Sequence, residues 1–516
     1  MNPFAAVIRQ YETHRLLAAP TGPRDTPFTQ LDLDAIIVPA SRPATHLDHA
    51  VTLARAAGCW LLVLCSKRCR GSEVSEFLAV RSYYKTIVID LPPGYSHELL
   101  HFPALLALQD ELPEACGYVV TDLSMKRNLG LVLARMLGWR RVFFLDDDIR
   151  DIAYPDLQTT VNMLSSFSAA GLWVTDFPDN SIACHANRMT DRNQDVFVSG
   201  AALAVDCDAD IGFFPDIYNE DWLFFFDDVS RGRLANSCLL ATQLCYYPFA
   251  RAQRAAWQEF GDVLAEGLYA LLHLGLGWEQ ATCEYWTQFL EVRRSFLEGI
   301  ITRWQNVHPE MQAEMLVSVY SALKCLLSIK PDVCERYVRH WRQDLADWRQ
   351  RAAGIEKVPS VEAALAKMHL VSWASVGSTA KVTYRPEELT PNVTAGAVGL
   401  PQFDTLKDLS ELASALGLGS TAAADIQTIW INGVGDSQSS GPDGHERRWT
   451  QALRIPRLWT KSSRRALVLV GKAERETEPV EDCPIAEPVQ LKIEDVAERQ
   501  TDGSPGLTPV GLGLWE

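Results

Sequence analysis

A chain of 516 residues, 47% of them apolar, has enough material to bury cores in two or three domains. Its 65 acidic against 48 basic residues leave a net charge of −17, which excludes a general nucleic-acid binder and requires a cation wherever an anionic nucleotide is held. The twelve cysteines are scattered, with only Cys65 and Cys69 clustered near Cys59; no second pair stands at zinc-ligand spacing, so reduced thiols in a cytoplasmic protein are expected.

Residues 1–30 form a lead segment that mixes Arg9, Glu12, Arg15, Arg24 and Asp25 with short apolar pieces and lacks a signal-peptide core. Later apolar stretches such as Leu268 to Trp278 are broken by His273 and two glycines, short of the roughly 20 residues a spanning helix needs, so no transmembrane segment is expected. A first strand is predicted over Asp34 to Ala40, then a turn at Ser41-Arg42-Pro43 and a helix through His49, Leu53 and Ala57 that stops at Gly58. Trp60 to Cys65 and Thr86 to Asp90 read as buried strands. A short apolar run from Gly117 to Asp122 precedes a helix from about Ser124 to Leu137. Strands alternating with helices point to an open α/β sheet, mostly parallel, whose ligands gather at the carboxyl ends of the strands.

The chemistry concentrates where the apolar run Val142 to Leu145 stops abruptly at Asp146-Asp147-Asp148. Three carboxylates cannot stay in a buried strand without partners, so they must emerge at its end, where they are hard ligands suited to Mn²⁺ or Mg²⁺ and a diphosphate. Lys126 and Arg127 fall in the first turn of the preceding helix, a place that disfavours cations unless an anion is near; either a phosphate or Asp122 would serve. The small-residue run with apolar flanks from Phe197 to Asp206 reads as a strand passing close to a ligand, where Gly200 permits backbone approach. At Asn219-Glu220-Asp221-Trp222 a helix start is predicted with Asn219 as its cap and Asp221 as a candidate general base.

Together these pieces resemble the nucleotide-sugar-dependent glycosyltransferases of the GT-A fold, particularly the family-2-like group, over about residues 31–250. The Ile36 to Pro39 strand, the Arg127-Asn128-x-Gly130 helix start, the Asp146-x-Asp148 metal motif and the Glu220-Asp221 pair followed by Trp222 match in order and in context. The resemblance implies a Rossmann-like, mostly parallel open sheet, an Mn²⁺ or Mg²⁺ ion held by Asp146 and Asp148, and sugar transfer from a nucleotide-diphosphate sugar to an acceptor hydroxyl. It further implies contacts to the donor from Pro39, Ser41, Arg42, Asp90, Asp122, Lys126, Arg127, Asn128, Asp146, Asp147 and Gly200. Asp221, with Glu220 beside it, would then deprotonate the acceptor, and inversion at the anomeric carbon is the expected outcome.

After Pro248 the pattern becomes helical. Phe289, Val292, Phe296, Ile300 and Trp304 repeat at helical spacing, as do Val333, Tyr337, Trp341, Leu345 and Trp348, so residues 251–371 are expected to be an all-α region whose aromatic stripes are packing faces. From 372 to 516 the composition turns to Gly, Ser, Thr and Pro, as in a largely disordered linker and tail. Its basic aromatic stretch 447–465, with Trp449 and Trp459 among arginines, suits either the protein's own acidic surface or an anionic membrane surface. Two rival readings remain. A catalytically silent GT-A domain would act as a binding or scaffold module, and Asp147, Asp148 and Asp151 also spell the diphosphate motif of prenyl and terpene synthases, which belongs on a helix wall.

Overall fold

The computed structural model describes residues 8–376 apart from 12–13, 15–16, 21–31, 84, 113–121, 176–180 and 195–196. The apolar run at 117–121 and the basic stretch 447–465 lie outside the described residues. Continuous apolar segments form strands β1 (Ala35–Ala40), β2 (Trp60–Cys65), β3 (Thr86–Asp90) and β4 (Arg141–Leu145). They are followed by β5 (Ala169–Thr175), β6 (Ala202–Asp206), β7 (Leu234–Gln243) and β8 (Trp373–Val376). The sheet order is β7-β5-β6-β4-β1-β2-β3-β8, with two-residue strands at Ala19–Pro20 and Ile149–Arg150 both paired to β7. β4, β1, β2 and β3 run parallel, while β6 is inserted antiparallel between β4 and β5. The result is a mixed, mostly parallel α/β sheet.

The period-2 alternation of strand side chains divides the core. Ile37, Leu62, Leu64, Ile87, Ile89 and Phe144 point to one face; Ile36, Val38, Leu61, Val63, Val88 and Phe143 point to the other. The second face is covered by helices α1 (Asp48–Ala57) and α2 (Gly71–Val80) together with Leu157 and Val161 of Tyr154–Asn162. The first is covered by α3 (Leu123–Leu137), where Gly130 allows close contact: a Cβ there would lie 3.0 Å from Ile37 Cγ2.

Further along come α4 (Ile182–Met189), α5 (Glu220–Phe224), α6 (Gln253–His273), α7 (Cys283–Ile301), α8 (Pro309–Ser328) and α9 (Pro331–Ala353). The predicted stripes are packing faces, for Phe289, Phe296 and Ile300 of α7 and Val333, Tyr337, Trp341, Leu345 and Trp348 of α9 belong to the same apolar cluster as the first face of the sheet. Trp373–Val376, expected inside a low-order linker, instead pairs antiparallel with β3 as an edge strand. The expected strand over 197–206 is confined to Ala202–Asp206, leaving Gly200 in the approach to it. Among the described residues no helix is long and apolar enough to cross a membrane.

Candidate functional site

At the carboxyl end of β4 the chain leaves the sheet, and the three aspartates emerge with three different environments. Asp146 keeps its backbone N–H on the Ala201 carbonyl at 2.9 Å, and both of its carboxylate oxygens accept from Arg127 Nη2 at 3.0 Å. Burial pushes this carboxyl up to about 6 against the opposing pull of Arg127. Asp147 turns toward the exit of β1, where its Oδ2 accepts the backbone N–H groups of Ser41 at 2.7 Å and Arg42 at 2.8 Å, and its Oδ1 the Arg42 guanidinium. Asp148 accepts from Arg42 Nη2 at 2.9 Å and Gln243 Nε2 at 3.3 Å through Oδ2; its Oδ1 accepts no hydrogen bond among the described residues.

Arg127 is the junction of the site. Fully buried, it donates Nη2 to Asp146 and Nη1 to Glu220 Oε1, joining the end of β4 to the start of α5. The backbone of Gly200 lies against it, and a Cβ at that position would sit 2.7 Å from both Cζ and Nη1 of the guanidinium. The close neighbour of Gly200 is therefore Arg127, where a ligand was expected. The N–H of Gly200 also donates to Asp221 Oδ2 at 2.6 Å, while Asp221 Oδ1 accepts the Trp222 N–H at 2.9 Å. Each ionised oxygen has a further lone pair. Burial raises the Asp221 carboxyl above its ordinary value and pushes Glu220 up to about 8.

Replacing Gly200 by Ala is expected to lower stability by about 1–3 kcal/mol, because a methyl group must be inserted into a filled, buried site. Denaturant unfolding checks this. A variant within 0.5 kcal/mol of the parent, a roughly neutral result on the same scale, would contradict the tight packing described here.

A single cleft of about 480 Å³ is lined by Pro39, Ser41 and Arg42 from the exit of β1, by Asp122, Lys126 and Arg127 around the start of α3, and by Asp146, Asp147, Asp148, Glu220 and Asp221. Lys126 is almost wholly buried and reaches back to Asp122 at 3.4 Å while donating to the Ala40 carbonyl at 2.7 Å and Ser66 Oγ at 2.6 Å. No protein-family model matches the chain, and no curated protein matches it. The functional reading therefore rests on this convergence of residues far apart in sequence.

Four residues expected at the site or beside it stand elsewhere or act otherwise. Asn128 is buried outside the cleft lining and pins the backbone of Phe214, donating to its carbonyl at 2.7 Å and accepting its N–H at 2.8 Å. Asp90 is likewise outside the lining; it accepts the Gly71 N–H at 2.7 Å, satisfying an orphan donor at the start of α2. Asn219 holds the predicted N-cap position but with φ 62° and no side-chain cap, its Nδ2 donating instead to Asp262 Oδ1 at 2.9 Å. Asp151 is exposed, at φ 61°, and follows the two-residue strand Ile149–Arg150, so Asp147, Asp148 and Asp151 share no helix.

Sequence reasoning missed the other wall of the cleft. Gln243 ends β7, and Arg254, Trp257, Gln258 and Glu266 come from α6. Beneath that wall Arg293 of α7 is fully buried and forks onto Glu259 at 2.8 and 2.9 Å and Asp262 at 2.7 Å. His14 Nε2 lies 2.9 Å from Glu266.

Among the described residues no group of three or more His, Cys, Asp or Glu is arranged to hold a metal. Asp146 and Asp148 supply the one or two carboxylates that a Mg²⁺-type site takes, with phosphate and water completing the shell. Asp148 Oδ1 is open among the described residues, while both Asp146 oxygens accept from Arg127, so a cation there would share Asp146 with the guanidinium.

Proposed function

We propose that this chain is a metal-dependent glycosyltransferase of the GT-A type, moving a sugar from a nucleotide-diphosphate sugar to an acceptor hydroxyl. The observation that carries the reading is the single cleft that gathers Asp146, Asp148, Arg127, Lys126 and Asp221 from separate parts of the sheet and helices. Asp146 and Asp148 would hold Mn²⁺ or Mg²⁺, which supplies charge stabilisation to the departing diphosphate when bound. Lys126 and Arg127, each balanced by acids in the free protein, would be the cations beside the diphosphate. Asp221, oriented by two backbone N–H groups, takes the proton of the acceptor hydroxyl as that oxygen bonds to the anomeric carbon and the bond to the diphosphate breaks. With Asp221 as a base rather than a nucleophile, the outcome is inversion.

A thermal-shift series of nucleoside diphosphates with and without Mn²⁺ tests this. One nucleotide is expected to raise the melting temperature in a metal-dependent way, and Asp148→Ala to remove that dependence. No shift with any nucleotide, or the same metal-dependent shift in Asp148→Ala, would sink the assignment. Metal-dependent binding without any turnover of the matching nucleotide sugar would leave the silent binding module as the better reading.

A further inference from the structure

We propose that Arg254 is an anion-recognition residue of the acceptor half of this cleft, and that the acceptor is a small hydroxylated compound carrying a carboxylate or phosphate. The inference rests on the glycosyltransferase reading and adds the substrate class to it.

Five cationic side chains line the cleft, and four of them have acidic partners. Arg42 is bound to Asp147 and Asp148, Arg127 to Asp146 and Glu220, and Lys67 and Lys126 each lie 3.4 Å from Asp122. Arg254 is the exception: among the described residues its guanidinium forms no ion pair, and its one contact is with the Tyr246 ring. In a chain with seventeen more acidic than basic side chains, an arginine in this cleft without an acidic partner is not what random pairing would leave.

Its placement sharpens the point. Arg254 is the second residue of the 21-residue helix α6, whose first turn contains no acid, so the helix dipole adds to the uncompensated positive charge there. The guanidinium stacks on Tyr246, with Cζ 4.6 Å from the ring centroid, a contact that fixes its orientation and leaves its charge in place. His185, whose Nε2 lies 3.3 Å from Tyr246 Oη, is held neutral first by burial and then by the positive potential of Arg188 and Arg254. The acids nearest in sequence on α6 are otherwise engaged: Glu259 and Asp262 with Arg293, Glu266 with His14. One turn beyond Arg254, Trp257 lines the same cleft and puts a large aromatic side chain beside the guanidinium's end of it. A guanidinium held by stacking, with its donors unspent, is suited to a planar carboxylate or a phosphate in bidentate contact.

Calorimetric titration of the full chain with glucose, gluconate and glucose 6-phosphate, at saturating nucleoside diphosphate and Mn²⁺, tests the proposal. The two anions are expected to bind more tightly than glucose, and Arg254→Gln to weaken them on the order of 10- to 100-fold, the worth of one charge-assisted hydrogen-bonded contact, with glucose unchanged. Whichever anion is favoured separates the carboxylate from the phosphate source. Arg254 is partly exposed and forms no ion pair among the described residues, so Arg254→Gln is compatible with folding, and Arg254→Lys should recover part of the loss. Equal binding of all three compounds, or anion binding that survives Arg254→Gln, overturns the proposal. So does preference for a nucleotide-linked uronic acid over its neutral counterpart with no binding of gluconate, which would move the anion to the donor. Nucleoside diphosphate binding measured alone keeps the two ideas apart: its absence alongside Arg254-dependent anion binding defeats the glycosyltransferase reading and leaves the anion site standing.

Discussion

Arg293→Met is expected to cost about 3–5 kcal/mol of folding stability, because it leaves Glu259 and Asp262 buried without the cation that both now share. The size follows from burial: Arg293, Glu259 and Asp262 are 0%, 1% and 4% exposed at their side chains, so water cannot take over the lost contacts. The deficit also has a pH signature. Burial already pushes Glu259 up to about 7 despite Arg293, so in the folded chain this carboxyl holds its proton more tightly than an unfolded glutamate does. A raised carboxyl value means that the folded state is favoured at low pH and loses ground as the pH rises above about 4.5 toward and through 7. Removing Arg293 raises the value further and extends the loss. Denaturant unfolding at pH 5.5 and pH 8 should therefore show a larger gap between variant and parent at the higher pH. A gap of under 1 kcal/mol at pH 8, about what an exposed ion pair is worth, would show that the network is hydrated and the burial argument wrong. Nucleotide binding by the folded fraction should be unaffected, since Arg293 pairs with Glu259 and Asp262 of α6 and with neither Asp146 nor Asp148.

What the chain discloses before folding is whatever depends on local pattern. β2 and β3 are continuous apolar runs that end where their residues do, and Asp146 to Asp148 can only emerge at a strand end, since three adjacent carboxylates have no place in a buried strand. In the first turn of α3 two adjacent cations meet different acids: Lys126 turns back to Asp122, whereas Arg127 crosses to Asp146 just past β4 and to Glu220 of α5. Nothing local separates two adjacent cations in this way. The same holds for Asn128, whose amide matches the backbone of Phe214, 86 residues away, and for Asp90, captured by Gly71. The insertion of antiparallel β6 between β4 and β5 is a matter of pairing that no periodicity records. Arg254 was within reach, because a cation in an otherwise acid-free first turn raises the question already asked of Lys126.

Asp221→Asn should reduce turnover by a factor of about 10² to 10⁴ with nucleotide affinity nearly unchanged, the range typical of a lost general base. The substitution preserves shape, and one amide oxygen can still accept the Gly200 N–H. The amide cannot take up the acceptor proton. Its effect on stability is the balance of two terms: a neutral amide escapes the burial penalty that now holds this carboxyl above its ordinary value, while the Trp222 N–H loses its acceptor to an amide nitrogen. A second consequence follows from the direction of that shift. A base must be ionised to act, so the acid limb of the pH–rate profile should lie above the usual carboxylate range, with activity lost as pH falls through it. In Asp221→Asn the residual rate should lose that limb. Loss of turnover together with nucleotide affinity would instead mark Asp221 as a structural clamp for Gly200 and, through it, for Arg127. Full retention of turnover would place the base elsewhere in the cleft, with Asp216 the first residue to replace, since it lines the same wall.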